Sequence, residues 1–305
     1  MFKSKHDRLF FISLLPTSIT IIGLLILFLI ILVFHASTSI GVFGLKLFIE
    51  SIWNPENEMY GILPPIIGTF IASGIAVAVS LFFSIPLSVF TVEFIRGRTR
   101  ELVSSLIELM SGIPTVIYAI WSLNTLAPYL KTYVMEPLYE YLSFIPLFSC
   151  KPVTGLSVFT AGIAIGIAIT PYMAMLIAES YRSIPIVYRE GCLSIGATRY
   201  ETTKILLSLL KPAIVASTVL GFARAAGETT IAAVTVGNSM SLSWCLFAPS
   251  YTVPAIIASQ YANAGLYVYA ESVLHASAMV ILIATLILSF IGLKILDEWR
   301  RRVVV

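Results

Sequence analysis

The 305-residue chain is 58% hydrophobic and 11% charged, with a formal net charge of +3. A soluble domain carries about 25% charged residues, so the composition excludes a soluble globular protein and strips the small positive balance of any nucleic-acid meaning. What informs is where the positive charges fall.

A spanning helix needs about 20 mostly apolar residues. Six candidate spans follow along the chain, roughly 9–34, 65–94, 102–130, 156–180, 208–237 and 274–296. Together they predict an all-α integral membrane bundle. The first apolar run is longer than the roughly 7–15 residues of a signal-peptide core and is followed by no small-residue cleavage site, so it reads as an uncleaved anchor. Three segments result: an anchor helix with an extracytoplasmic stretch (1–64), a membrane domain (65–297) and a basic tail (298–305).

Lys3, Lys5, Arg8, Arg96, Arg98, Arg100, Arg182, Arg189, Arg199, Lys204, Lys211, Lys294, Arg300, Arg301 and Arg302 fall on one side of this arrangement. Only Lys46, Lys131 and Lys151 fall on the other, and Arg224 is left inside a span. By the positive-inside rule both termini are expected in the cytoplasm. Cys192 then lies inside, while Cys150 and Cys245 lie outside, where a disulfide is chemically allowed. Three cysteines without a framework spacing favour two separate outer thiols. Between the fifth and sixth spans, SMSLSWCLFAPSYTVPAIIASQYANAG is too polar and broken to cross, and short helices on the outer face are expected.

Gly162 and Gly166 in GIAIG form a small-xxx-small pattern suited to close helix packing. Pro114 and Pro171 sit in apolar runs and predict kinks; beside a pore a kink serves as a hinge as readily as it serves packing. Glu108, about two turns into the third span, is expected to serve structure as a partner for a loop arginine, with a gate as the second reading.

The largest cytoplasmic segment reads YRSIPIVYREGCLSIGATRYETTKILLSLLKPAI. From Val187 to Leu207 it predicts an amphipathic surface helix interrupted by Gly191 and Gly196, then a turn into the fifth span near Pro212. As a connector it would touch lipid headgroups; as a docking element it would meet a soluble partner. Gly191 and Gly196 stand at phosphate-loop spacing, but Ala197 occupies the lysine position and no strand precedes them, so the segment cannot cradle a nucleotide.

REGCLSIGATRYETTKILL resembles the EAA loop of ABC-importer permeases, with Glu190 and Gly196 at matching positions, Gly191 and Cys192 in place of the two alanines, and Pro212 later than the family's Leu-Pro. WNPENEMYGILPPIIGTF (53–70), ELMSGIPTVIYAIWSLNTLAP (108–128) and GFARAAGETTIAAVTVGN (221–238) are similar, in order, to segments of the C-subunit permeases of phosphate-specific importers. The resemblance implies a type I permease bundle of the methionine-importer kind with a cytoplasmic coupling helix. It also implies a sister permease as heterodimer partner, two ATP-binding subunits and an extracytoplasmic phosphate-binding protein. ATP and magnesium would be used by the ATPase, with no cofactor or metal held by this chain. In the loop, Arg189, Glu190, Gly191, Gly196, Ala197, Arg199 and Glu201 would meet the ATPase.

ARAAGETT (223–230) places Arg224 and Glu228 inside the fifth span. If the helix starts near Pro212, Arg224 lies about 18 Å into a hydrocarbon layer about 30 Å thick. A charge there costs at least about 2.5–3.5 kcal/mol and is read as functional by default. Four residues apart on a continuous helix, the two groups would pair across one turn, with the Thr229 and Thr230 hydroxyls beside them. A structural ion pair is the bland alternative, weakened because desolvation offsets most of the attraction. The functional expectation is a transport path in which the Arg224 fork binds a small oxyanion and Glu228 keeps that binding weak.

Two other classes receive less support. An ion-coupled carrier would show inverted repeats or several intramembrane acids. A membrane enzyme would need a catalytic constellation, and His6, His35 and His275 accompany neither H-E-x-x-H nor G-x-S-x-G. A lone arginine suits sulfate, molybdate or tungstate as well as phosphate, so cargo identity rests on the resemblance.

Overall fold

The computed structural model describes residues 5–303. In chain order the elements that position the site are α1 (Lys5–Phe43), a hairpin of β1 (Trp53–Asn54) and β2 (Met59–Tyr60), α2 (Leu63–Val89), α3 (Gly97–Ser111) and α4 (Thr115–Leu142). They continue with α5 (Val158–Arg182), α6 (Ile186–Ser194), α7 (Arg199–Ala226), α8 (Thr230–Thr235), α9 (Val253–Ala264) and α10 (Ala270–Val303). Five of these helices are individually long and apolar enough to cross a bilayer, and α3 with α4 passes the same test only as a bent pair. Lys3 and residues 304–305 lie outside the described residues, so the expected place of Lys3 in the charge pattern and the end of the expected tail are not addressed.

The centre of the bundle is the packing of α5 on α2, and the glycine spacing explains it. A Cβ at Gly162 would stand 2.6 Å from the Ile75 Cβ, and one at Gly166 would stand 2.8 Å from the Ala76 carbonyl oxygen. Only hydrogen at these positions lets the helices approach so closely. The expected packing role of GIAIG is therefore observed. α10 runs antiparallel to α1: His35 stacks on His275 with ring centroids 5.0 Å apart, and the Ser39 N–H donates to Ser272 Oγ at 2.9 Å. The β1–β2 hairpin closes the end of α2, with Tyr60 buried against Phe43 and Trp53.

Several expectations are corrected. The third span is not one helix: the chain turns by 82° between α3 and α4, across Gly112–Pro114. Pro114 therefore sits at the N-cap of α4 and not in a helix interior, because proline lacks the N–H that an interior turn requires. Conversely, α4 continues to Leu142 through Pro128 and Pro137. Two π-turns, Ser122–Leu126 and Lys131–Met135, precede these prolines, with the Ala127 and Glu136 N–H groups donating five residues back. This register shift accommodates the missing donors.

The first span extends to Phe43, and residues 298–303 continue α10 as helix. Trp299 explains that continuation: its ring is buried and its Nε1–H donates to the Leu209 carbonyl at 2.7 Å. The two outer cysteines are joined, not separate: Cys150 and Cys245 form a disulfide with Cα atoms 6.0 Å apart. It links the segment after α4 to the one before α9. That latter segment forms one 12-residue helix, α9, whose first residues, Val253–Ile256, are buried against the bundle. The Val253 N–H donates to the buried Thr69 Oγ1 of α2 at 2.9 Å.

A broken helix at mid-depth and a coupling end

The fifth span is where sequence and structure differ most. Its helix begins not at Pro212 but at Arg199, thirteen residues earlier. Thr198 and Glu201 form a reciprocal capping box: the Thr198 Oγ1 accepts from the Glu201 N–H at 3.3 Å, and Glu201 Oε2 accepts from the Thr198 N–H at 2.8 Å. At about 1.5 Å per residue the 28 residues of α7 reach about 42 Å, longer than the hydrocarbon layer. The helix then stops at Ala226, and Gly227–Thr229 leave helical geometry before the short α8.

The break separates the two charges. Glu228 turns inward, is 7% exposed, and caps α8, its Oε1 accepting from the Ile231 N–H at 3.5 Å. Arg224, on the last turn of α7, is exposed on the surface of the chain. The ion pairs among the described residues are Lys131–Glu136, Arg189–Glu93 and Arg301–Asp297, so the expected pairing of Arg224 with Glu228 across one turn is not formed. The physical reason is local: four-residue spacing brings side chains together only on a continuous helix. Thr229 faces a third direction, lining an apolar cavity of about 370 Å³ with Ala223, Gly227 and Thr285, and Thr230 is the first residue of α8.

The depth of Arg224 follows from this packing. Its neighbour Ala223 shares that cavity with Thr285, which stands halfway along the apolar stretch of α10 between His275 and Lys294. Arg224 therefore stands level with the middle of that apolar stretch of α10.

The other end of α7 carries the segment expected to meet an ATPase. α6 is a two-and-a-half-turn helix, shorter than the 187–207 expected, and it ends at a turn in which Gly196 has φ +81°. Glycine is favoured there because a Cβ is crowded in the left-handed region. Beside it the chain exposes Val187 (70%), Ile195 (81%) and Tyr200 (73%), an apolar knob that water does not favour and a protein partner would cover. Glu190, Gly191, Arg199 and Glu201 are exposed, Ala197 is half-buried, and Cys192 is buried.

Arg189 is different from its neighbours. It turns back to the bundle and pairs with Glu93, in the π-turn Phe90–Phe94 that ends the second span. The same Glu93 oxygen accepts from the Tyr181 hydroxyl at 2.6 Å. Glu93 was not singled out in the sequence, although a carboxylate closing an apolar run was a visible signal. It ties α6 to the ends of α2 and α5. Glu108, by contrast, is exposed on α3 and forms none of the described ion pairs, so the expected loop-arginine partner is not found.

Comparison with known proteins matches residues 84–302 to the family described as binding-protein-dependent transport system inner membrane component. The chain is 40% identical over 298 residues, 96% of its length and 95% of the relative's, to a protein of Methanocaldococcus jannaschii named "Probable phosphate transport system permease protein PstC". It is 32% identical over 246 residues, 79% of this chain and 78% of the relative, to the "Phosphate transport system permease protein PstC" of Haemophilus influenzae. Among solved structures, a chain of the inward-facing MetNI methionine ABC transporter superposes with a TM-score of 0.56 at 14% identity, covering 78% of this chain and 95% of that one. At that identity the likeness shows the fold, a type I permease bundle.

Proposed function

Since the chain belongs to the binding-protein-dependent transport system inner membrane components, and within them to the phosphate permeases named PstC, we propose that it is the membrane-spanning subunit of an ATP-driven importer of inorganic phosphate. It is a multi-pass membrane protein of a transport family, not of a catalytic one. In this reading both termini face the cytoplasm and α6 docks into a separate ATP-hydrolysing subunit. A sister permease covers the exposed face that carries Arg224, and an external binding protein delivers the cargo.

The observation that carries the reading is the outward-facing guanidinium at mid-depth. Lipid is a poor neighbour for such a group, so a second subunit or a water-filled path must stand against it. A path between two permeases supplies both. Arg224 offers a planar fork of donors to a phosphate oxygen pair, and the solvated side chain holds it only transiently, as conduction requires. Glu228 acts from behind the path, fixing the break that ends α7 and so the position of Arg224. Thr229 and Thr230 set the direction of the chain after the break.

The experiment is uptake of labelled phosphate into proteoliposomes holding the assembled complex. Arg224→Gln is expected to abolish uptake while the complex still assembles and hydrolyses ATP. Full uptake by that variant would overturn the proposed role. Competition by sulfate as strong as that by unlabelled phosphate would replace phosphate with a broader oxyanion cargo.

A further inference from the structure

At the basic end of the bundle, a cavity of about 540 Å³ opens between α3, α5 and α6, within the roughly 300–1,000 Å³ typical of small-molecule sites. Three arginines from three elements line it: Arg100 on α3, Arg182 at the end of α5 and Arg189 on α6. The Glu93 carboxylate is already taken by Arg189 and Tyr181. Arg182 makes one long hydrogen bond, to Ser104 Oγ at 3.5 Å, and neither Arg100 nor Arg182 belongs to an ion pair among the described residues. The buried Arg189 Nε–H has no acceptor. Two guanidinium charges and an orphan donor thus share one space without an anion to meet them.

We propose that this cavity binds a phosphate group, held by Arg100 and Arg182 and adjoining Arg189. The guanidinium fork matches phosphate oxygens in pairs, which a lysine cluster would not do. Pro185 and Ile186, which also line the cavity, place the positive end of the α6 dipole at its wall. The three arginines belong to α3, α5 and α6, so occupancy fastens α6 to the bundle. A site here is separate from Arg224 and does not depend on which cargo crosses the membrane. The same chemistry admits two sources, inorganic phosphate from the aqueous side and a phospholipid headgroup at the membrane surface.

The test uses the assembled complex without its external binding protein. One arm measures binding of radiolabelled inorganic phosphate. The other counts phosphatidylglycerol retained from mixed vesicles by native mass spectrometry. R100Q/R182Q is expected to weaken one of the two by at least about tenfold, and the arm that responds names the source. R100K/R182K should fall between it and the unaltered protein, which separates loss of the fork from loss of folding. R98Q, a neighbouring arginine outside the lining, should leave binding unchanged. Equal binding of both probes to the unaltered protein and R100Q/R182Q overturns the site, and so does an equal loss in R98Q, which would mark diffuse attraction to a basic surface.

Discussion

The two ends of α7 handle charge in opposite ways. Around Arg199 the chain ties its charges to partners of its own: Glu201 to Thr198, and Arg189 to Glu93, which Tyr181 also meets. Around Ala226 it holds them apart, Glu228 inward at the start of α8 and Arg224 outward. Charge satisfied within the chain contributes to shape. Charge left facing outward at mid-depth has to be met by something the chain does not contain, and there transport chemistry is sought.

This contrast is sharpest in a pair of variants four residues apart. Arg224→Gln should reduce phosphate uptake by about two orders of magnitude or more, the scale of losing a charge-assisted ion contact, with no change in thermal stability. Glu228→Ala should do the reverse first. It leaves the Ile231 N–H of α8 without its acceptor in a buried place, costing about 1–3 kcal/mol, visible as a lower unfolding temperature in detergent. Its uptake loss should follow from the misplaced break and be recovered in part by Glu228→Gln, which keeps an oxygen for the cap. If Arg224→Gln destabilises and Glu228→Ala does not, the division of labour drawn here is wrong.

What the sequence revealed and what it hid divide along the same line. Long apolar runs marked the five single-helix candidate spans, and the Gly162–Gly166 spacing marked the α2–α5 contact, because both depend on local periodicity. The break at Gly227–Thr229 was half legible: a glycine followed by an acid and two threonines is an end-and-restart signal, masked by the apolar residues on both sides. Thr198-x-x-Glu201 is likewise a capping pattern that marks where α7 starts, outweighed by the eye-catching Pro212. The Cys150–Cys245 link and the Glu93–Arg189 pair join residues 95 and 96 positions apart, and no local rule reaches that far. The π-turns that admit Pro128 and Pro137 leave no sequence period to read.

At the coupling end the next largest effect belongs to Arg189. Arg189→Ala leaves Glu93 partly buried beside Tyr181 without its cation. Since Arg189 is itself about one-third exposed, the cost is set at about 1–3 kcal/mol, below that of a fully buried pair. More telling is the readout in the assembled complex. If α6 transmits motion through Glu93 to α2 and α5, ATP hydrolysis should persist while uptake per ATP falls. Unchanged coupling would reduce the triangle to local packing.

The smallest expected effect is at the start of α7. Thr198→Ala removes the hydroxyl that accepts from the Glu201 N–H, and caps of this kind contribute about 0.5–2 kcal/mol. Thr198→Asp should retain most of that, because a carboxylate also accepts at a helix N-terminus and is favoured by its dipole. The measurement is thermal unfolding of the purified complex, where the alanine variant should melt slightly lower and the aspartate variant near the unaltered protein. Because the capping box sets where the 28-residue helix begins, it also sets the register in which Arg224 arrives at mid-depth. Thr198→Ala should therefore lower uptake by less than about tenfold and in proportion to its loss of stability. A far larger loss of uptake at unchanged stability would mean that the coupling turn acts on the path directly, and that the two ends of α7 are not the independent regions described here.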